Sequence, residues 1–241
     1  AFRVRKVFTA GRLIAEDGRV LIPLDDAAAG APSHSIHLKP LAEDALSLPV
    51  RTGKARVIGI EPASLVTKSL VREVKTDDAG CFQSALNPGL TKIAVIERHK
   101  RTGKLGIGIL EGYGLTGGAI ATTISHDSHN IVVAGDNDPD MLLAVRELAD
   151  MGGGIVSVHG GSIRRLPLPI AGLMTSADPQ EVNAVLHDML VAARAELGIP
   201  EDVEPFMTLS FMALPVIPEL KLTARGLFNV NTFSFVGVEA D

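Results

Sequence analysis

The segment KIAVIERHKRTGKLGIGIL, residues 92–110, indicates the fold more directly than the rest of the chain. Residues 92–97 form a run rich in β-branched side chains, and residues 105–110 alternate between apolar side chains and glycine. The polar stretch Lys100-Arg101-Thr102-Gly103 lies between the two runs. Period-two alternation on both sides of a polar turn is typical of an antiparallel β-hairpin.

Further strands and two helices are predicted around this hairpin. Asp138 is the predicted N-cap of the first helix, with Pro139 at the first helical position, and Asp178 is the predicted N-cap of the second. The sequence therefore predicts an α+β fold, a strand-rich layered domain with two main helices. The additional strands are expected at residues 57–60, 66–74, 119–125, 131–134, 155–159 and 162–166.

The first 24 residues predict a short β-meander, with a hairpin turn at Asp17-Gly18. A meander this small is not stable alone, so we expect it to belong to a larger sheet. From Asp25 to Pro49 the periodicity disappears, which is typical of a linker. The sequence thus predicts a meander at residues 1–24, a linker at residues 25–50 and a main domain at residues 51–241.

Composition excludes several classes of protein. The chain has 241 residues, with 23 Lys and Arg against 28 Asp and Glu, and a net charge of −5. This balance argues against nucleic acid or an anionic membrane as a partner, because phosphate binding requires clustered positive charge. The single Cys81 excludes an internal disulfide and a multi-cysteine metal site. We expect a cytoplasmic protein, since a lone thiol fits a reducing compartment and no leader peptide is recognisable.

One polar turn combines residue types that carry chemistry. Two histidines and a carboxylate within four positions can bind a metal or move protons. The alternative is a polar turn whose side chains cap nearby backbone groups. The candidate residues are His126, Asp127, Ser128, His129 and Asn130.

Other polar groups are weaker candidates. His34 and His37 lie in the predicted linker, where no regular structure fixes a metal geometry. Asp136, Asn137 and Asp138 are interpreted as a helix start rather than as oxygen ligands. Residues 97–104 are interpreted as a charged, solvated hairpin tip.

Five blocks of sequence resemble the C-terminal region of the bacterial adenine deaminases. Together they cover about residues 55–225 in the expected order. They are Glu97-Arg98-His99-Lys100 with Thr102-Gly103, Gly118–Ala121 leading into Ser125–Asn130, Met151–Gly154, Leu166–Met174, and Pro205–Phe211 continuing through Leu214–Leu222.

The resemblance implies hydrolysis of adenine to hypoxanthine and ammonia. It also implies a binuclear manganese or iron site that activates water for attack on the purine. The amidohydrolase barrel that carries the metal ligands and the acid and base residues is expected upstream of Ala1, as a partner within the same polypeptide. No metal ligand is therefore predicted in this chain, which alone is expected to be inactive. The resemblance also implies that residues 1–24 are the strands that return after the barrel and complete a small β-sandwich subdomain. The full enzyme is expected to be a homo-oligomer.

Two other functions remain open at this point. The first is a non-catalytic assembly module that dimerises through the apolar Phe206–Leu214 segment or through its helices. The second is a self-sufficient metal hydrolase that uses His126, Asp127 and His129. A further interpretation of the turn follows from the resemblance: residues 126–130 project into the mouth of the barrel and line the adenine site without binding metal.

Overall fold

Two compact units make up the computed structural model of the chain, which describes residues 3–23 and 32–240. The first unit runs from Ala1 to Ala31 and the second from Pro32 to Asp241. In the first unit, strands β1 (Lys6–Thr9), β2 (Arg12–Glu16) and β3 (Arg19–Val20) pair in sequential antiparallel order. The predicted β-meander is confirmed; its positions 1, 2 and 24 lie outside the described residues.

An eight-stranded sheet forms the centre of the second unit. Its strands are β4 (Lys54–Ile60), β5 (Thr67–Glu73), β6 (Leu90–Ile96), β7 (Leu105–Glu111), β8 (Gly118–Thr122), β9 (Ile131–Gly135), β10 (Gly154–His159) and β11 (Ser162–Pro167). Their spatial order is β11-β10-β8-β9-β6-β7-β4-β5. Four sequential hairpins therefore lie side by side, and β4 with β7 is the parallel pair.

Three helices pack with this sheet: α1 (Asp138–Asp150), α2 (Pro179–Ala195) and α3 (Pro205–Met212). The side chain of Asn137 accepts a hydrogen bond from the Asp140 amide, so Asn137 is the N-cap of α1 and the prediction of Asp138 is wrong by one position. Asn137 has extended backbone, as a cap requires, whereas Asp138 is already helical. Asp178 caps α2 as predicted, accepting from the Gln180 amide.

Both faces of the sheet are buried, as the alternation in β6 illustrates. Ile93 and Val95 belong to a core cluster with residues of α2 and α3, whereas Ala94 and Ile96 belong to a cluster with residues of α1. A third, small sheet also contributes to the first cluster; its strands are β12 (Leu220–Thr223), β13 (Gly226–Asn229) and β14 (Ser234–Phe235). The α+β layered class predicted from the sequence is confirmed.

Residues 32–50 contain no helix or strand, yet they contribute to the core of the second unit. Leu46 is fully buried, and Leu48 and Val50 are nearly so. Residues 25–31 of the predicted linker lie outside the described residues. The domain boundaries after residues 24 and 50 remain a prediction.

Candidate functional site

The polar turn at residues 125–130 connects β8 to β9. It is anchored at both ends by the backbone: the His126 amide donates to the Ser210 carbonyl of α3 at 2.8 Å, and the His129 amide donates to the Ser125 carbonyl at 2.6 Å. His126, Asp127 and Ser128 are exposed, whereas His129 and Asn130 are half-buried. The turn thus presents one solvent-facing half and one half embedded in the protein.

Aromatic and histidine side chains flank the exposed half. The His126 ring stacks on the Phe211 ring, with 5.5 Å between centroids and 21° between planes. From the β6–β7 loop, His99 Nε2 lies 2.9 Å from the Ser128 carbonyl oxygen. This stack offers a flat, partly apolar face of the kind on which a heteroaromatic ring packs.

Three side-chain atoms of the embedded half lack partners. Ser125 Oγ, His129 Nδ1 and Asn130 Oδ1 are buried without a hydrogen bond within the part of the chain that the structure describes. Buried polar atoms are almost always paired with protein, ligand or ordered water. Their concentration in one turn marks it as a place where a polar molecule can bind.

Burial lowers the pKa of His129 below its ordinary value, and the positive charge of Arg98 lowers it further. The imidazole is therefore neutral at pH 7, with one nitrogen that donates and one that accepts. A neutral ring of this kind suits contact with an uncharged base.

The predicted charged hairpin tip divides into two parts. Residues 99–104 are exposed as predicted, but Arg98 is only 1% exposed. The Glu97 carboxylate closes the loop: burial raises its pKa, but hydrogen bonds from Thr102, His99 and Lys100 outweigh burial and bring the pKa to about 2. The prediction of a fully solvated tip is therefore wrong at Arg98.

Arg98 and Ser35 are the residues near the turn that the sequence did not identify. Arg98 donates to the carbonyl oxygens of His129 and Ala171 and to Ser35 of the 32–37 segment. If the alternation of β6 is continued past its end, Arg98 lies on the same buried face as Ala94 and Ile96. This alternation could have predicted the burial of Arg98 from the sequence.

Residues 136–138 serve the fold. The Asp136 carboxylate accepts hydrogen bonds from the Gly117 and Gly118 amides, Asn137 caps α1, and Asp138 pairs with the buried Lys92. The interpretation of these residues as a helix start is confirmed.

Metal binding requires several donor side chains that converge on one point. Within residues 3–23 and 32–240, no group of three or more His, Cys, Asp or Glu side chains is arranged to hold a metal ion. The structure therefore does not support a metal centre formed by His126, Asp127 and His129, and the binuclear site implied by the resemblance does not fit the residues described here. His34 and His37 are both exposed.

The Phe206–Leu214 segment, proposed above as a dimerisation surface, is α3 and the residues that follow it. Phe206, Leu209 and Met212 are almost fully buried in the core of the second unit. Met207 is the exposed exception, at 56%. Most of the apolar area of this segment is therefore already covered by its own chain.

A cavity of about 440 Å³ lies away from the turn, between the β4–β5 loop and the segment that leads into α3. Its polar wall carries Glu61, Glu201 and Asp202, and none of residues 125–130 lines it. The cavity and the candidate turn are therefore separate features. No helix in the described ranges is both long and apolar enough to cross a bilayer.

The chain is similar to a known protein family and to curated proteins. The sequence model of the adenine deaminase C-terminal domain matches residues 64–234. An adenine deaminase of Nitratidesulfovibrio vulgaris is 57% identical over 238 residues, which is 98% of this chain and 41% of the relative. Adenine deaminase 2 of Carboxydothermus hydrogenoformans is 45% identical over 241 residues, which is again 98% of this chain and 41% of the relative.

An adenine deaminase of Clostridium acetobutylicum is 40% identical over 236 residues, which is 97% of this chain and 41% of that protein. The chain thus spans about two fifths of the length of the curated relatives that it matches. The resemblance noted in the sequence is confirmed, because the family match extends over most of the chain, through both main helices and all but the first strand of the central sheet. The chain belongs to the adenine deaminase C-terminal domain family.

Proposed function

We propose that the polypeptide to which this chain belongs hydrolyses adenine to hypoxanthine and ammonia. Water supplies the oxygen that replaces the amino group at C6, and the amino group leaves as ammonia. The observation that carries this proposal is the family match over residues 64–234, together with relatives named adenine deaminase. In this proposal the chain is the C-terminal part of the enzyme.

The metal ligands and the acid and base residues are assigned to an N-terminal barrel of the same polypeptide. Two observations support this division: the relatives are much longer than the chain, and the described residues offer no metal-binding group. We assign manganese or iron to that barrel.

The β1–β3 meander is proposed to complete a β-sandwich with strands of the upstream part. Its apolar side chains support this, because Val4, Phe8, Val20 and Leu21 are each about half exposed. Exposed apolar side chains on so small a sheet are typical of a surface that another element covers. We further propose a cytoplasmic homo-oligomer; Phe233 and Phe235 of the third sheet, 75% and 44% exposed, are candidate contact residues.

The turn at residues 125–130 is proposed to line the mouth of the adenine site. Its support is the neutral His129, the stacked His126 and the three buried atoms without partners. An uncharged purine has ring nitrogens that accept and an amino group that donates, which matches hydroxyl, amide and neutral imidazole groups.

Deamination of adenine, followed by purine absorbance and by ammonia release, tests the proposed function. We expect the full-length polypeptide to be active with added manganese and this 241-residue chain alone to be inactive, because the described residues offer no metal-binding group. Turnover by the isolated chain would instead favour the self-sufficient hydrolase. Full turnover by the N-terminal part alone would favour the assembly module, and an inactive full-length protein would refute the proposal.

Replacement of His126 or His129 by alanine in the full-length enzyme tests the turn. We expect kcat/KM for adenine to fall about tenfold, the effect of losing one stacking or hydrogen-bonding contact to the substrate. His187→Ala is the matched control, since His187 is an exposed histidine on α2. Unchanged kinetics in both turn variants would remove the turn from the site.

A further inference from the structure

Arg98 is a buried cation that has no carboxylate partner among the described residues. It is 1% exposed, and within residues 3–23 and 32–240 no Asp or Glu forms an ion pair with it. Burial of an unpaired guanidinium costs free energy, and burial accordingly lowers the pKa of Arg98. A side chain held at such a cost has a specific structural or functional task.

The guanidinium joins three segments that are distant in the sequence. Its Nε donates to the His129 carbonyl at 2.5 Å, and Nη2 donates to the Ala171 carbonyl at 3.0 Å. Nη1 donates to the carbonyl and the hydroxyl of Ser35, at 3.2 and 3.1 Å. One side chain thereby fixes the C-terminal half of the turn against the 32–37 segment and the loop after β11.

The surrounding backbone is shaped to admit this group. A Cβ at Gly172 would lie 3.0–3.2 Å from the guanidinium atoms, which is a tight contact. Gly172 also has a φ of +72°, so both the close approach of Arg98 and the backbone conformation favour glycine there. Thr123 Oγ1 donates to the Gly172 carbonyl at 2.5 Å and accepts from the Gly154 amide at 2.8 Å. The loop that receives Arg98 is thus tied to β10.

The part of the turn that Arg98 holds is the part with unsatisfied polar atoms. The His129 carbonyl oxygen accepts the hydrogen bond from Arg98 Nε, while His129 Nδ1, Ser125 Oγ and Asn130 Oδ1 are buried without partners in the described part of the chain. Arg98 holds the backbone of this segment, while the side chains of His126 and His129 keep accessible surface, which is the arrangement expected of a preorganised binding loop.

We propose that Arg98 is the positioning residue of the adenine site: it fixes the turn so that its accessible side chains, those of His126 and His129, contact the uncharged purine directly. This inference rests on the proposed function. Arg98 itself touches no substrate in this arrangement; it acts through the backbone of His129.

Arg98→Lys in the full-length enzyme tests the proposal, since lysine keeps the charge but its single compact ammonium cannot span four acceptors in three separate segments. We expect KM for adenine to rise about tenfold while kcat changes less than about threefold, because binding rather than water activation is affected. Arg165→Lys is the matched control: Arg165 pairs with Glu147 through a comparable 2.6 Å contact on an edge strand, and its kinetics should equal those of the wild type.

Ser35→Ala provides a milder variant that removes one acceptor of the guanidinium, with an expected rise in KM of about threefold. It keeps the test decisive where Arg98→Lys fails to fold, which thermal melting reveals. An active wild type whose KM is unchanged in Ser35→Ala and Arg98→Lys would overturn the role of Arg98 alone. A wild type that does not deaminate adenine would overturn the proposed function and this inference together.

Discussion

Gly154→Ala is expected to destabilise the second unit by about 4 kcal/mol or more, because no space exists for a side chain at that position. A Cβ there would lie 2.0 Å from the Leu166 carbonyl oxygen and 2.8 Å from Met151 Cε, and Gly154 has a φ of +140°. Relief of the clash requires β10 to separate from β11 and to leave its hydrogen bonds with Thr123. Urea unfolding followed by circular dichroism measures the loss.

Gly160→Ala is the matched control in the same hairpin. Gly160 also has positive φ, at +53°, but nothing lies within 4 Å of the position that a Cβ would take there. We expect a loss of about 1–2 kcal/mol, the cost of a left-handed conformation for alanine. Equal losses in the two variants would contradict the close packing of β10 on β11.

Asp138→Asn is expected to cost about 3 kcal/mol, because it leaves the Lys92 ammonium buried without a counter-ion. The Lys92 side chain is 3% exposed, and its Nζ contacts Asp138 Oδ1 at 2.5 Å and the Leu46 carbonyl at 3.0 Å. Urea unfolding of the variant measures the effect. The pair joins β6 to the start of α1, so its loss weakens the contact between that helix and the sheet.

Asp140→Asn is the control that distinguishes loss of this ion pair from loss of negative charge at the helix N-terminus. Asp140 also lies in the first turn of α1 but pairs with no lysine, so its loss should be at most about 1 kcal/mol. The double variant Lys92→Met with Asp138→Asn should recover much of the stability, since it removes the unpaired charge. A double variant as unstable as Asp138→Asn would show that the pair is not the cause.

The strands were predictable where side chains alternate, and their order was not. Residues 93–96 alternate between two core clusters, so β6 could be located from sequence alone. The neighbours β6 with β9, β8 with β10 and β4 with β7 are separated by other strands, and no local pattern encodes such pairings. Helix α3 is apolar on all sides, so its periodicity could not distinguish a helix from a buried strand.

The candidate turn was predictable because its residue types are unusual. The contacts of Arg98 that hold the turn in place were not predictable. His126 to Asn130 are contiguous, so the sequence shows them together. Ser35 and Ala171 lie 63 and 73 positions from Arg98, and their contacts exist only in the folded chain. The third sheet, β12–β14, was missed because its strands are short and its apolar residues complete the core of a distant element.

The order of the central sheet leaves β5 and β11 as its two outer strands. Unpaired outer strands are the usual sites at which sheets of separate molecules join and aggregate. Lys68, Arg72 and Glu73 occupy β5, whereas Arg164, Arg165 and Pro167 occupy β11. Charge at one margin, and charge with a proline at the other, oppose the addition of a ninth strand. Extension of the central sheet by a strand from another copy is therefore disfavoured at both β5 and β11.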